Sequence, residues 1–162
     1  KKQEMTVAFN PAPMTADVRD MPLECVDYLI INETEAEGLV NNPEINAKQP
    51  EALLDKLHVR YPTMKIVLTL GDKGVMYRDE EQSLVVAAET VDTVDTTAAG
   101  DTFIGYFIQQ LIAEASVSKA LQIASQAAAV TVQTLGASES IPDMQTLHSL
   151  GINANTAGEN HA

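Results

Sequence analysis

An α/β fold, with a mixed, mostly parallel sheet and flanking helices, is what this sequence predicts, and three observations predict it. Short aliphatic and β-branched runs alternate with helical patterns from Met5 to Ala87. Turns bearing glycine, proline or asparagine close those runs. The composition is 45% hydrophobic with no tryptophan and only 4% aromatic residues, which suits aliphatic strands packed under helices. At 162 residues the default is one domain, expected over 1–152, with a polar, flexible tail over 153–162.

The elements follow in order. Met5–Phe9 (MTVAF) and Tyr28–Ile31 (YLII) read as buried strands, the first closed by Asn10-Pro11-Ala12-Pro13 and the second leading into Asn32-Glu33-Thr34-Glu35. Pro50 to Tyr61 sets Leu53, Leu54 and Leu57 on one helical face, with His58 at its margin, and stops before Pro62. Lys65–Leu70 (KIVLTL) then completes a βαβ rhythm. Gly74–Arg78, a polar Asp79-Glu80-Glu81 turn and Ser83–Ala87 have the pattern of a hairpin or antiparallel edge, so the sheet is mixed. From Thr102 onward, Phe103, Ile104, Phe107, Ile108, Leu111 and Ile112 form two adjacent rows of a helix. Ser118–Val132 is an alanine-rich helix with Leu121, Ala124, Ala128 and Val132 on a narrow face, ended by Gly136. Pro142, at a first helical position, and Gly151 frame a short last helix.

Charge and cysteine usage exclude several classes. A formal charge of −13, from 23 acidic and 10 basic residues, opposes binding to a nucleic-acid backbone or an anionic membrane. It does not oppose a nucleotide, because backbone amides, helix N-termini and magnesium neutralise phosphates locally. Cys25 stands alone, cannot form an internal disulfide, and is expected to be a half-buried packing residue. His58, His148 and His161 have no metal-ligand spacing. No segment has the length of a membrane span and no secretory apolar region follows Lys1, so the expected compartment is the cytoplasm.

Chemistry concentrates in VDTTAAGDTFIG, Val94–Gly105. Ala98, Ala99 and Gly100 put almost no side chain in the way of a ligand approaching the backbone, and Asp101 stands at the helix entrance. The unpaired amides there favour a phosphate or a developing oxyanion, and a carboxylate beside them can take a proton from an attacking hydroxyl. Together these point to phosphoryl transfer to an alcohol. A simple N-cap also accounts for Gly-Asp before a helix. Asn32-x-x-Glu35 opens a helix as a capping box. Thr69-Leu70-Gly71-Asp72-Lys73-Gly74 leaves a strand end, where open α/β sheets bind ligands, and also has the makings of an ordinary turn. No GxxxxGK[ST] run is present, which disfavours a P-loop ATPase.

Asp95 to Phe103 resembles the C-terminal signature of the ribokinase-like (PfkB) carbohydrate kinases. The resemblance implies a Rossmann-like ribokinase fold, with Asp101 as the catalytic base contacting the sugar and Ala98, Ala99 and Gly100 as the anion hole. It implies ATP contacts at Asn32, Thr69, Leu70, Gly71, Asp72, Lys73, Gly74, Gly100, Asp101 and Ser125, the last where the family commonly has Asn or His. Glu35 is implied to act on Mg2+ through water. Asp95, Thr97, Thr131, Thr134, Gly136 and Ser140 align with a monovalent-cation site, K+ being the implied activator. Asn10-Pro11-Ala12-Pro13, otherwise a plain extended turn, is similar to a segment of the family's ribose-specific members. The implied reaction is ATP-dependent phosphorylation of a sugar's primary hydroxyl, D-ribose to ribose 5-phosphate, with fructose, a deoxyribose or a nucleoside as alternative acceptors. A homodimer is one assembly open to the complete enzyme.

The resemblance runs from Met5 to about Leu150 and corresponds to the C-terminal half of a family member. The family's Gly-Gly sugar-contact motif and lid strands belong to the other half, so the isolated chain is expected to lack an acceptor pocket. A noncatalytic nucleotide-binding remnant, or a piece that only dimerises, is the reading from a different class.

Overall fold

The computed structural model describes residues 5–154, and the chain divides into two compact units, 1–85 and 86–162. In the first unit, strands β1 (Ala8–Phe9), β2 (Tyr28–Asn32), β3 (Lys65–Thr69), β4 (Val75–Arg78) and β5 (Ser83–Val86) lie side by side in that order. β1, β2 and β3 are parallel and β4 is antiparallel to β3. β5 follows β4 through only Asp79–Gln82, too short for the crossover a parallel neighbour requires.

β2 and β3 have continuous apolar runs because both of their faces are buried. Leu29 and Ile31 pair with Ile66 and Leu68 and share a core with Ala36 and Leu39 of α1 (Glu33–Val40) and Leu53, Leu54 and Leu57 of α2 (Pro50–Arg60). The leucine face of α2 is thus as its spacing predicts, with Pro50 in the first turn where its missing N–H costs nothing. α1 ends at Asn41 in the left-handed region (φ 47°), and guanidiniums cover its last carbonyls: Arg19 donates to Gly38 O at 3.0 Å and Arg60 to Leu39 O at 3.4 Å.

In the second unit, α3 (Ala99–Ile112) packs on α4 (Val117–Thr131), and α5 (Met144–Ser149) follows a loop and a short 3₁₀ turn. Ser116 caps α4, its Oγ accepting the Lys119 amide at 3.3 Å. Phe103 and Phe107 stack along α3 with centroids 6.0 Å apart. The Tyr106 hydroxyl donates to the Pro142 carbonyl at 2.6 Å.

Several expectations need correction. Only Ala8–Phe9 of the run 5–9 pairs as strand, and Met5 and Val7 are exposed, because β1 is the end strand of the sheet and has a partner on one side only. α3 begins at Ala99 rather than Thr102, and its buried face is Thr102, Phe103, Phe107 and Gln110, whereas Ile112 is 68% exposed. The buried face of α4 is broader than expected, taking in Ala120, Ile123, Ala127 and Thr131, with Ala128 and Val132 only half-buried. α4 is already over at Thr131, so Gly136 lies in the following loop (φ 121°) and does not end the helix. Pro142 precedes the true cap of α5, Asp143, whose carboxylate accepts the Thr146 amide at 2.8 Å; Gly151 does close that helix in the left-handed region. Cys25 is exposed. Of the expected tail, Ala154 is buried and accepts a contact from His148 Nε2 at 3.2 Å, while 155–162, His161 included, lie outside the described residues.

Candidate functional site

In the first unit the candidate residues gather at the C-terminal ends of two neighbouring parallel strands, the edge where open α/β sheets bind ligands. Asn32 and Thr69 are the last paired positions of β2 and β3. Asn32 Oδ1 accepts the Glu35 amide at 2.9 Å, and Glu35 Oε2 accepts the Asn32 amide at 3.0 Å, a complete capping box. Glu35 is buried, and its Oε1 has no hydrogen bond among the described residues. The box therefore leaves one carboxylate oxygen available, the donor type that suits the water shell of magnesium. The Thr69 hydroxyl donates to Ile31 O at 3.3 Å.

Beyond Thr69 the chain makes one 3₁₀ turn over Gly71–Lys73, with Gly71 at φ 59° and Gly74 at φ 104°, ψ −134°. The Leu70 amide donates to Gly74 O at 2.8 Å and closes the loop on itself. Only glycine adopts the Gly74 conformation at small cost, so this turn needs its second glycine for backbone reasons alone. Asp72 and Lys73 are exposed, and Leu70 is buried.

In the second unit, Ala98 precedes α3 in the left-handed region (φ 64°, ψ 0°), and no side chain caps the helix. The four amides that helix geometry leaves without intrahelical acceptors are those of Ala98, Ala99, Gly100 and Asp101. The Ala99 amide is turned to Thr96 O at 3.3 Å, so the anion-hole assignment loses part of one donor. A Cβ added to Gly100 would meet nothing within 4 Å, which leaves the approach to this helix start open. Asp101 is exposed at the third helical position rather than at the cap. There its charge complements the positive end of the helix dipole.

The proposed cation residues divide. Asp95 Oδ1 accepts the Thr97 amide at 2.9 Å and Oδ2 the Gly136 amide at 3.2 Å. Val132 O accepts from both Val94 (2.7 Å) and Asp95 (3.1 Å), and the Ser140 hydroxyl contacts Gly136 O (2.9 Å) and Ala137 O (2.7 Å). Asp95, Thr97, Gly136 and Ser140 thus belong to one hydrogen-bonded pair of loops. The buried Thr131 hydroxyl lies instead against Thr102 Oγ1 and Ala127 O, and Thr131 is linked to Thr134 through its carbonyl (3.2 Å). Ser125 is half-buried on α4 with no side-chain hydrogen bond among the described residues. The described residues contain no cluster of three or more His, Cys, Asp or Glu suited to a metal, and no helix long and apolar enough to cross a membrane.

Two participants escaped sequence reasoning. The Val132 carbonyl leaves no trace in residue type. Thr102 looks like an ordinary helix residue until Thr131, 29 residues away, is brought against it.

A parallel-strand edge with glycine-bearing turns, and a helix start free of side-chain caps, are features of a Rossmann-like α/β protein. The family model for pfkB family carbohydrate kinase matches residues 1–144, and the chain belongs to that family. A ribokinase of Schizosaccharomyces pombe is 37% identical over 146 residues, covering 88% of this chain and 46% of the relative. A deoxyribokinase of Salmonella typhi is 34% identical over 146 residues, covering 90% and 47%. The crystal structure of ribokinase from Cryptococcus neoformans in complex with ADP matches at TM-score 0.81 and 29% identity, over 90% of this chain and 51% of that one. The chain spans about half the length of the curated relatives it matches.

Proposed function

We propose that this chain supplies the nucleotide-binding and phosphoryl-transfer portion of an ATP-dependent sugar kinase that converts D-ribose to ribose 5-phosphate. The observation that carries the reading is the start of α3: Ala98 in the left-handed region, open space beside Gly100, and the Asp101 carboxylate one residue on. The ribokinase relative and the ADP-bound structural neighbour support ribose and an adenine nucleotide as its ligands.

Asp101 accepts the proton of the sugar's primary hydroxyl while that oxygen forms a bond to the γ-phosphorus and the bond to the β,γ-bridging oxygen breaks. The Ala98, Gly100 and Asp101 amides stabilise the negative charge spread over the transferring group. The resemblance assigns nucleotide contacts to Asn32 and the Thr69–Gly74 turn in the first unit and to Ser125 in the second. Glu35 would hold magnesium through water, and the metal when bound would neutralise phosphate charge. Potassium would be held mostly by backbone carbonyls of the loops that carry Asp95, Thr97, Thr134, Gly136 and Ser140, together with that of Thr131 at the end of α4.

The test is Asp101→Asn in the protein that carries this sequence together with the remainder of the kinase. Turnover should fall by about 10²–10⁴-fold, the range for loss of a general base, while ATP affinity is retained. Unchanged turnover rejects the role of Asp101. The deoxyribokinase relative makes deoxyribose the second acceptor to assay, and a panel with ribose, deoxyribose, fructose and a nucleoside decides which is phosphorylated with the highest kcat/KM.

A further inference from the structure

The first turn of α3 poses a mechanical question. Its cap residue, Ala98, has no side-chain oxygen to tie the amides down and adopts a conformation that alanine disfavours. Backbone bonds hold the turn on which Asp101 stands within its own segment, the Ala99 amide to Thr96 O at 3.3 Å and the Thr102 amide to Ala98 O at 2.8 Å, but neither ties it to the neighbouring helix. Thr102, the next residue, is 2% exposed and Thr131, in the last turn of α4, is 0% exposed. Thr131 Oγ1 lies 3.1 Å from Thr102 Oγ1 and 3.1 Å from the Ala127 carbonyl oxygen. Thr131 has a single hydroxyl proton, so both contacts are met when Thr102 donates to Thr131 and Thr131 donates to Ala127. That relay runs from the first turn of α3 into the backbone of α4.

Valine has nearly the shape of threonine, and a pair of valines would fill the same volume with no polar atom to satisfy. The gain from two buried hydroxyls is directional: apolar contacts tolerate sliding and rotation of one helix on the other, whereas this relay does not. We infer that Thr102 and Thr131 are positioning residues that hold the first turn of α3 in place of a cap and so fix the direction of the Asp101 carboxylate. This rests on Asp101 being the base, as proposed above.

The test is a cycle of variants in the complete kinase: Thr131→Val, Thr131→Ser, Thr102→Val with Thr131→Val, and Thr131→Val with Asp101→Asn. Thr131→Val should lower kcat by about 10-fold or more, as a small misplacement of a catalytic group does, with the KM for ATP within about twofold of wild type. Thr131→Ser, which keeps the hydroxyl, should recover most of the loss. The double valine variant, free of an orphaned hydroxyl, should unfold near the wild-type midpoint yet stay slow, an outcome a purely structural role would not produce. In the Asp101→Asn background, Thr131→Val should change kcat by less than about twofold, because its effect passes through the carboxylate.

A double valine enzyme with wild-type kcat overturns the inference, as does a Thr131→Val loss that multiplies fully with that of Asp101→Asn. If Asp101→Asn is itself fully active, the catalytic reading fails. A fully active Thr131→Val enzyme beside an inactive Asp101→Asn enzyme sinks the inference alone.

Discussion

Asp95 and Gly136, 41 residues apart, are joined by a 3.2 Å hydrogen bond from the Gly136 amide to the Asp95 carboxylate, which fastens the segment leading into α3 to the loop that follows α4. The Thr97 hydroxyl, then the Thr97 amide and the Gly136 amide, hold the Asp95 carboxyl below its ordinary 3.8. Folding therefore favours its charged form. The resulting stability is fully present above the unfolded value and is lost as pH falls through the lower folded value. The urea midpoints of wild type and Asp95→Ala should differ most near neutrality and converge as pH drops below 3.8; a gap that stays constant across that range contradicts the assignment.

The capping box permits stability and function to be separated at neighbouring positions. Asn32→Ala removes the acceptor of the Glu35 amide and should cost about 1 kcal/mol in urea denaturation, the usual worth of an N-cap. Glu35→Gln keeps an oxygen able to accept from Asn32 but removes the charge, so the fold should hold. If Glu35 acts on magnesium through water, this variant needs several times more Mg2+ for half-maximal turnover. An unchanged magnesium titration would leave Glu35 as a cap alone.

Gly100 offers a sharper contrast. A methyl group there meets no atom within 4 Å, and alanine is the better helix former by roughly 0.5–1 kcal/mol, so Gly100→Ala should keep or slightly raise the unfolding midpoint. If the transferring phosphoryl group approaches at Gly100, the same methyl would stand in its way, and turnover should fall by about 10-fold or more, since productive geometry tolerates little displacement. Ala98→Gly, which relieves a left-handed alanine, should stay active, whereas Ala98→Val should lose both stability and turnover. A Gly100→Ala enzyme with wild-type kcat would show that the phosphoryl group passes elsewhere.

Asn32 and Glu35 were legible because cap and partner are three residues apart, and their bonds form in any chain that starts a helix there. Leu53, Leu54 and Leu57 were legible because one helical face has one period. The start of α3 was not. Its apolar rows begin at Phe103, and the turn before them is fixed by a left-handed Ala98 that residue preference argues against. Met5–Phe9 misled for a related reason: β-rich composition shows what a segment can pair with, not whether a neighbour lies along its full length.

By itself the sequence determined the α/β class, the order of strands and helices and the family, because hydrophobic period, turn chemistry and a contiguous nine-residue signature are properties of local order. Tertiary structure alone decided that Asn32 and Thr69 end side by side, that Asp95 grips the loop of Gly136, and that the Thr131 hydroxyl serves Thr102. Those contacts join residues dozens of positions apart, through backbone amides, carbonyls and hydroxyls whose partners exist only once sheet register and helix packing have brought them within hydrogen-bond reach.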